Sequence, residues 1–428
     1  MFQEKKPLWR NFSVWMLCIS SVFWHAFVYA DNSRVEKHEL KSLYEIAWER
    51  QPESKSYQFR VDAALAKQKI ASSFLASPAS IEIAQKTDRA NSNQGASETI
   101  AGLGIPLWLW GERANSIGLA DAEYKRLLSQ YLLIQLKVAA EVRDAYWSYK
   151  RSNVELDLAN GRFQNAKALS FDVEKRFRAG DLSRADLHQA NGALANAEAS
   201  LAEAQANFIN AEQRVRSLLG ANAAGKSIKT GLSNQLAEPV PKVPDNLSNL
   251  DFNLPVVAAL FDQLEVAKKA VSLAKAQTRS TPELQLLTTR GREVYGVPFQ
   301  QSITLGIRIP FGSDARYQNK LATTTAEMVE AESQLVLERE RTLSIIESSA
   351  LLVKTARLKA DSSEKRAVLA NETRSFFEKS FRFGETDLPT RLRIELEASD
   401  ASRQAALAKI NYAVAISNLR QALGLLPE

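Results

Sequence analysis

Apolar positions recur at two spacings along this chain, and each spacing appears twice. Ile303, Leu305, Ile307, Ile309 and Phe311 alternate with Thr304, Gly306, Arg308 and Pro310. That period of two predicts a strand with one apolar face and one polar or small face. Thr99, Ala101, Leu103, Ile105 and Leu107 repeat the alternation more weakly and in phase. Residues 79–87 and 283–289 read as the partner strands, reached through polar loops such as Asn91–Gly95. Ahead of each strand pair, Ser56–Ser77 and Pro255–Arg279 are rich in Ala, Lys and Leu and predict helices.

The second spacing is helical. Between Gly111 and Arg178 there is no proline and only Gly118 and Gly161 interrupt, so one helix of roughly 100 Å is expected at ~1.5 Å per residue. Ser313–Arg382 repeats this with no internal proline or glycine. Helices of that length imply a coiled coil or tube. The segment that follows carries Leu187, Leu194, Leu201, Phe208 and Val215 in heptad spacing, interleaved with Ala190, Ala197, Ala204, Ala211 and Leu218. Such a seam, with alanine at one position, lets helices approach closely. Ile394, Ala398, Ala401, Ala405, Ala408, Tyr412, Ala415, Leu419 and Ala422 keep the same register. The turns are Gly180-Asp181-Leu182-Ser183 and Gly384-Glu385-Thr386-Asp387-Leu388-Pro389. Glycine suits the left-handed position after a helix, the Asp or Ser that follows in each turn suits the N-cap, and Pro389 suits the first turn. Good hairpin chemistry explains these residues without any binding role.

The landmarks repeat at one offset of 204 residues. Ile105-Pro106-Leu107 matches Ile309-Pro310-Phe311, Phe177-Arg178-Ala179-Gly180 matches Phe381-Arg382-Phe383-Gly384, and Leu219-Gly220 matches Leu423-Gly424. A constant offset over more than a hundred residues indicates tandem duplication. The expected organisation is 1–30 as a signal peptide, 31–220 as the first repeat, 221–254 as a proline-containing linker and 255–428 as the second repeat. The fold class is α+β, mostly α. Four strands are too few to close a barrel, so a membrane reading requires three chains and twelve strands. Trp108 and Trp110 stand where a strand ends, and fit either a membrane-interface girdle or an ordinary core.

Charge and composition narrow the functions. Lys5, Lys6 and Arg10 precede an apolar run from Phe12 to Phe27 and then Val28-Tyr29-Ala30, the pattern of an export signal cleaved after Ala30; a membrane anchor is the competing reading. The only cysteine, Cys18, lies inside that segment, so no disulfide, thiolate metal site or cysteine nucleophile is expected afterwards. No later window reaches 18 apolar residues. The net charge of +6 is spread among acidic residues along helices, which argues against nucleic acid as a partner. No phosphate loop, zincin pattern or nucleophile elbow is present, His38 and His188 are the histidines left after residue 30, and Met328 is the only methionine there. No enzyme activity, cofactor or metal site is expected.

The order of elements, repeated twice, resembles the outer-membrane efflux protein family typified by TolC. The residues that carry the resemblance are Leu103-Gly104-Ile105-Pro106, the two Phe-Arg-x-Gly turns and the terminal Leu-Gly of each half. Ser77-Pro78 and Trp110-Gly111-Glu112-Arg113 are similar to the family's heavy-metal resistance branch. The resemblance implies a homotrimer in the outer membrane, in contact with its lipid. A periplasmic helical tunnel would dock to a periplasmic adaptor (membrane fusion) protein and a proton-driven inner-membrane pump, exporting small solutes such as metal cations or drugs. By the same resemblance Gly180, Asp181, Leu182, Ser183 and Asp186, with Gly384, Glu385, Thr386, Asp387 and Leu388, are adaptor-contact tips. Thr390 and Arg393 stand at the tunnel constriction, where family members often carry acidic residues. The alternatives are a periplasmic coiled-coil adaptor or scaffold, and the duct of a type I protein secretion system. A scaffold would share the hairpins but not the alternating strands.

Overall fold

The computed structural model describes residues 39–220, 238–243, 254–312 and 314–428. The expected signal peptide, His38 and most of the 221–254 linker lie outside the described residues. In chain order the elements are α1 (Glu39–Arg50), α2 (Pro52–Ala71), β1 (Ser80–Thr87), β2 (Ser97–Pro106), α3 (Glu112–Ala179), α4 (Arg184–Leu219), α5 (Pro255–Ala276), β3 (Glu283–Arg292), β4 (Gln300–Arg308), α6 (Asp314–Arg382) and α7 (Leu388–Ala422). The two long helices run 68 and 69 residues, about 100 Å each. No described helix is long and apolar enough to cross a membrane.

Each long helix is covered in two stages. Helix α4 folds back along the second half of α3, and α7 along the second half of α6. The first half of α3 meets α2, where Lys67 pairs with Glu123 at 3.0 Å and Gln68 donates to Asp121 at 2.8 Å. It also meets α5, whose Lys269 lies over Gly118. Helix α5 sits between α3 and α6. The heptad seam appears with one refinement. Ala190, Ala197, Ala204 and Ala211 are buried, whereas Leu187, Leu194, Leu201 and Phe208 are half-buried. Alanine lets the two backbones close on each other, and the larger residues are pushed to the flanks.

The main core is at mid-height. Leu40, Leu43, Tyr44 and Ala47 of α1 meet Val142, Ala145 and Tyr146 of α3, Val215 and Leu219 of α4, and Ile410 of α7. Burial pushes the Tyr44 phenol up to about 12, with Tyr131 adding to the shift. Helix α1 was missed by the sequence reading, although its buried positions follow i, i+3, i+4, i+7 spacing.

The four strands form one antiparallel meander in the order β1-β2-β3-β4. The strand pair of the first repeat is joined to that of the second along β2 and β3, from Ser97 opposite Arg292 to Pro106 opposite Glu283. The last strand begins and ends three residues earlier than its alternation suggests. β3 starts at Glu283, directly after Pro282, and pairs there with Arg308, so Ile309, Pro310 and Phe311 have no strand beside them.

Candidate functional site

The sheet has two chemically distinct faces. Cross-strand partners share a face, so the register sorts the residues. One face carries the rows Ile81–Leu103–Leu286–Leu305, Ile83–Ala101–Thr288–Ile303 and Ile105–Leu284–Ile307. The other carries Ser80–Gly104–Gln285–Gly306, Glu82–Gly102–Leu287–Thr304 and Lys86–Glu98–Gly291–Gln300. Ile81, Ile83, Leu286, Ile303, Leu305 and Ile307 are exposed, so no described part of the chain covers the apolar face. Among the described residues β1 pairs only with β2, and β4 only with β3, leaving two bare edges.

Aromatic residues mark both ends of the sheet. At the helix-proximal end Trp110 is 100% exposed, and Phe74 and Phe311 project similarly. Trp108 is half-buried instead, and its Nε1 donates to the Ser73 carbonyl at 3.1 Å. The two tryptophans therefore differ: Trp110 stands in the open, and Trp108 is held against the chain. At the far end Tyr295 and Phe299 are exposed, with Arg292 stacked over both rings at 5.1 and 4.8 Å. Phe74, Tyr295 and Phe299 were not singled out in the sequence, where isolated aromatics in irregular segments carry no period, whereas Phe311 was read as a strand position.

The hairpin tips lie at the opposite ends of the long helices. Gly180 and Gly384 adopt φ of 87° and 78°, which only glycine takes readily. Gly180 N–H donates to Phe177 and Asp181 N–H to Arg176, and the second turn repeats this with Gly384 to Phe381 and Glu385 to Ser380. Ser183 caps α4 through a reciprocal box: its Oγ accepts from Asp186 N–H at 3.2 Å, and Asp186 Oδ2 accepts from Ser183 N–H at 3.0 Å. Asp387 occupies the N-cap of α7 but its side chain makes no capping bond. Replacing Ser183 by Ala should destabilise the α4 start by about 1 kcal/mol. Asp387→Ala should stay within about 0.5 kcal/mol. Amide exchange in the first turn of each helix separates the two, and equal loss of protection would contradict the assignment.

Asp181, Ser183, Glu385 and Asp387 are exposed at the turns, with Leu182 and Thr386 half-buried. Leu388 is 1% exposed and joins a cluster of Leu169, Val173, Ala190 and Phe381 that knits the hairpins together. Asp186 is committed to its cap, so Leu388 and Asp186 serve the tip from inside. Thr390 is half-buried, and Arg393 is exposed with Glu397 at 3.8 Å. Arg176 donates to the Phe381 carbonyl at 3.2 Å and stacks on its ring at 5.0 Å, so each hairpin holds the other. Among the described residues no trio of His, Cys, Asp or Glu is placed to hold a metal ion.

A third feature had no sequence signal. Residues 238–243 of the linker cross the body at mid-height, and Glu238 is buried between the two repeats. Its Oε1 accepts from Arg143 Nη2 of α3 at 2.8 Å and its Oε2 from Arg143 Nε at 3.2 Å. Arg420 of α7 approaches from the other side, with Nε 3.2 Å from Glu238 Oε1 and Nη2 3.1 Å from Glu428. Neither N–H is aligned with its contact, so Arg420 is paired there by charge rather than by directed hydrogen bonds. Its Nη1 does donate to the Pro239 carbonyl at 3.1 Å. Val243 then packs beside Val257, Ile346 and Ile416.

Residues 43–221 match the family model described as outer membrane efflux protein. The resemblance carried by the strand end and the first glycine turn is thereby borne out. Solved structures extend the likeness of fold to both repeats. A membrane protein from Pseudomonas aeruginosa superposes with a TM-score of 0.75 at 17% identity, covering 90% of this chain and 93% of its own. CusC, whose structures describe transmembrane channel formation, gives 0.75 at 15% identity, covering 90% and 92%. The CmeC outer membrane channel of Campylobacter jejuni gives 0.72 at 18% identity, covering 90% and 86%. No curated protein matches the chain in sequence. The fold is TolC-like: long antiparallel helical hairpins with a four-stranded contribution to a sheet. Family match and fold together support an outer-membrane efflux duct.

Proposed function

We propose that three copies of this chain close a twelve-stranded barrel in the outer membrane and continue it as a periplasmic helical tunnel. The assembly is the exit duct of a tripartite efflux system, passive and without chemistry, docked to a periplasmic adaptor and driven by an inner-membrane pump. The observation that carries this reading is the sheet: four described strands, two edges that no described strand pairs, and an apolar face that no described residue covers. In a bilayer every backbone N–H and C=O needs a partner, and only closure on neighbouring copies supplies one for β1 and β4. The apolar rows then meet lipid, and the row containing Glu82 and Thr304 faces the lumen. Trp110, Phe74 and Phe311 suit one interface, and Tyr295 with Phe299 the other. Exposed Val329, Val336, Leu351 and Leu358 along α6 supply a flank for a neighbouring copy.

The faces make opposite predictions. Leu305→Lys places a charge against lipid and should cost about 2–4 kcal/mol near mid-depth. Thr304→Lys, on the other face, should be tolerated. Heat-modifiable trimer bands from outer-membrane fractions are the readout. A purified chain that is monomeric and soluble without detergent would end the duct reading, and equal assembly of both variants would end the assignment of faces.

A further inference from the structure

Just inside the tips, the two hairpins of one chain enclose a groove of about 1110 Å³. Its floor is apolar and small, formed by Leu169, Leu392 and Leu396 with Ala166 and Ala193. Its walls are basic: Arg162, Arg176, Arg374, Arg382, Arg391 and Arg393 line it, against only Asp172, Glu378 and Glu395.

All three carboxylates are already engaged. Asp172 pairs with Arg176 at 3.4 Å, Glu378 with Arg382 at 2.6 Å, and Glu395 with Arg374 at 3.4 Å. Glu395 also accepts from Asn165 at 3.2 Å. Three arginines remain. No described carboxylate lies within ion-pair distance of Arg162 or Arg391. Arg393 reaches only Glu397, at 3.8 Å, and Glu397 is not part of the lining. Arg391 stacks on the Phe381 ring at 4.7 Å and is half-buried. Burial pushes its guanidinium below the ordinary range, against the pull of Glu378, Asp172 and Glu395. A surplus of positive charge between low-dielectric walls focuses the field into the groove.

Guanidinium forks match carboxylate, sulfonate and phosphate oxygens two at a time, and their flat faces stack on aromatic rings. The apolar floor excludes a bare inorganic ion as the best fit, because Leu169, Leu392 and Leu396 would gain nothing from it. The volume lies just above the roughly 300–1,000 Å³ typical of sites for drug-sized molecules. We propose that this groove binds anionic organic molecules with an apolar or aromatic body, held by Arg162, Arg391 and Arg393. Where the duct reading holds, this makes anionic amphiphiles a favoured cargo class.

The binding step is tested on the purified, detergent-solubilised protein with pyrene trisulfonate, which carries too much charge to enter a neutral micelle. Its fluorescence anisotropy should rise saturably and weaken with added salt. Arg391→Gln and Arg162→Gln should each weaken binding at least ~tenfold, since each removes a charge-assisted hydrogen bond. Lys379→Gln, exposed outside the groove, should bind as the wild type does. If Arg391→Gln fails to assemble, Arg393→Gln, which is exposed, replaces it. Absence of saturable binding, or unchanged affinity in every arginine variant, overturns the proposal. Reversal potentials across a planar bilayer then separate the two readings. A chain that conducts but binds no anion refutes this groove and leaves the duct standing. A chain that binds the dye but never conducts refutes the duct and leaves the groove.

Discussion

Glu238→Gln is expected to destabilise the folded protein by about 3–5 kcal/mol, because it removes the carboxylate buried between two buried guanidiniums. The side chains of Arg143, Glu238 and Arg420 are each 3% exposed, so solvent screens little of the effect. Glutamine keeps the shape and part of the hydrogen bonding but none of the charge. Arg143 retains Gln421 at 2.6 Å and the Leu425 carbonyl at 3.1 Å, neither of which neutralises it. Arg420 retains Glu428, whose side chain is 60% exposed and screened. Thermal or guanidinium melting of the assembled protein measures the loss, with Lys242→Gln on the same strap as control. A midpoint unchanged from wild type would mean that the linker is not a brace. Replacing Arg143, Glu238 and Arg420 together by Met should restore most of the stability, because an apolar cluster carries no desolvation cost. That contrast identifies unpaired charge, rather than lost packing, as the cause.

Glu238 also shows where sequence reading runs out. It is one acidic residue before Pro239, with no period around it, and its partners lie 95 residues before it and 182 after it. Nothing local connects them; only the folded body does. The strands were legible for the opposite reason. A half-covered strand writes its two environments into alternate residues, and Ile303, Leu305 and Ile307 fall on one face as the alternation predicted. The same signal overran at Ile309 and Phe311, since alternation records the environment of a side chain and not the backbone pairing. The glycine turns were legible because a positive φ nearly demands glycine. What the tips do was less so: Leu388 and Asp186 read as surface residues of a turn, yet burial and capping use them internally. The aromatic ends of the sheet needed the fold, because Phe74 at one end and Tyr295 at the other sit in segments with no period that a linear pattern records.

Phe381→Ala should have the second large effect, confined to the tips. Phe381 is 2% exposed, and its ring lies between the guanidiniums of Arg176 at 5.0 Å and Arg391 at 4.7 Å. Arg176 belongs to the first hairpin and Phe381 to the second, so the ring is the point where the hairpins grip. Truncating a buried Phe costs ~3–5 kcal/mol, and the cation–π contacts go with it. The tip cluster is small and distant from the mid-height core, so the loss should appear as local opening rather than global unfolding. Three kcal/mol corresponds to roughly a hundredfold or more in the opening equilibrium. Limited proteolysis at the 180–183 and 384–388 turns reports that equilibrium directly. Phe383→Ala, two residues on and 78% exposed, should cleave at the wild-type rate. Under the proposed duct, the Phe381 variant should also show raised conductance in bilayers, because hairpins no longer held together would let the tips splay. Equal cleavage of both variants would show that Phe381 is not the clasp. Faster cleavage without any change in conductance would keep the clasp but deny it a part in gating.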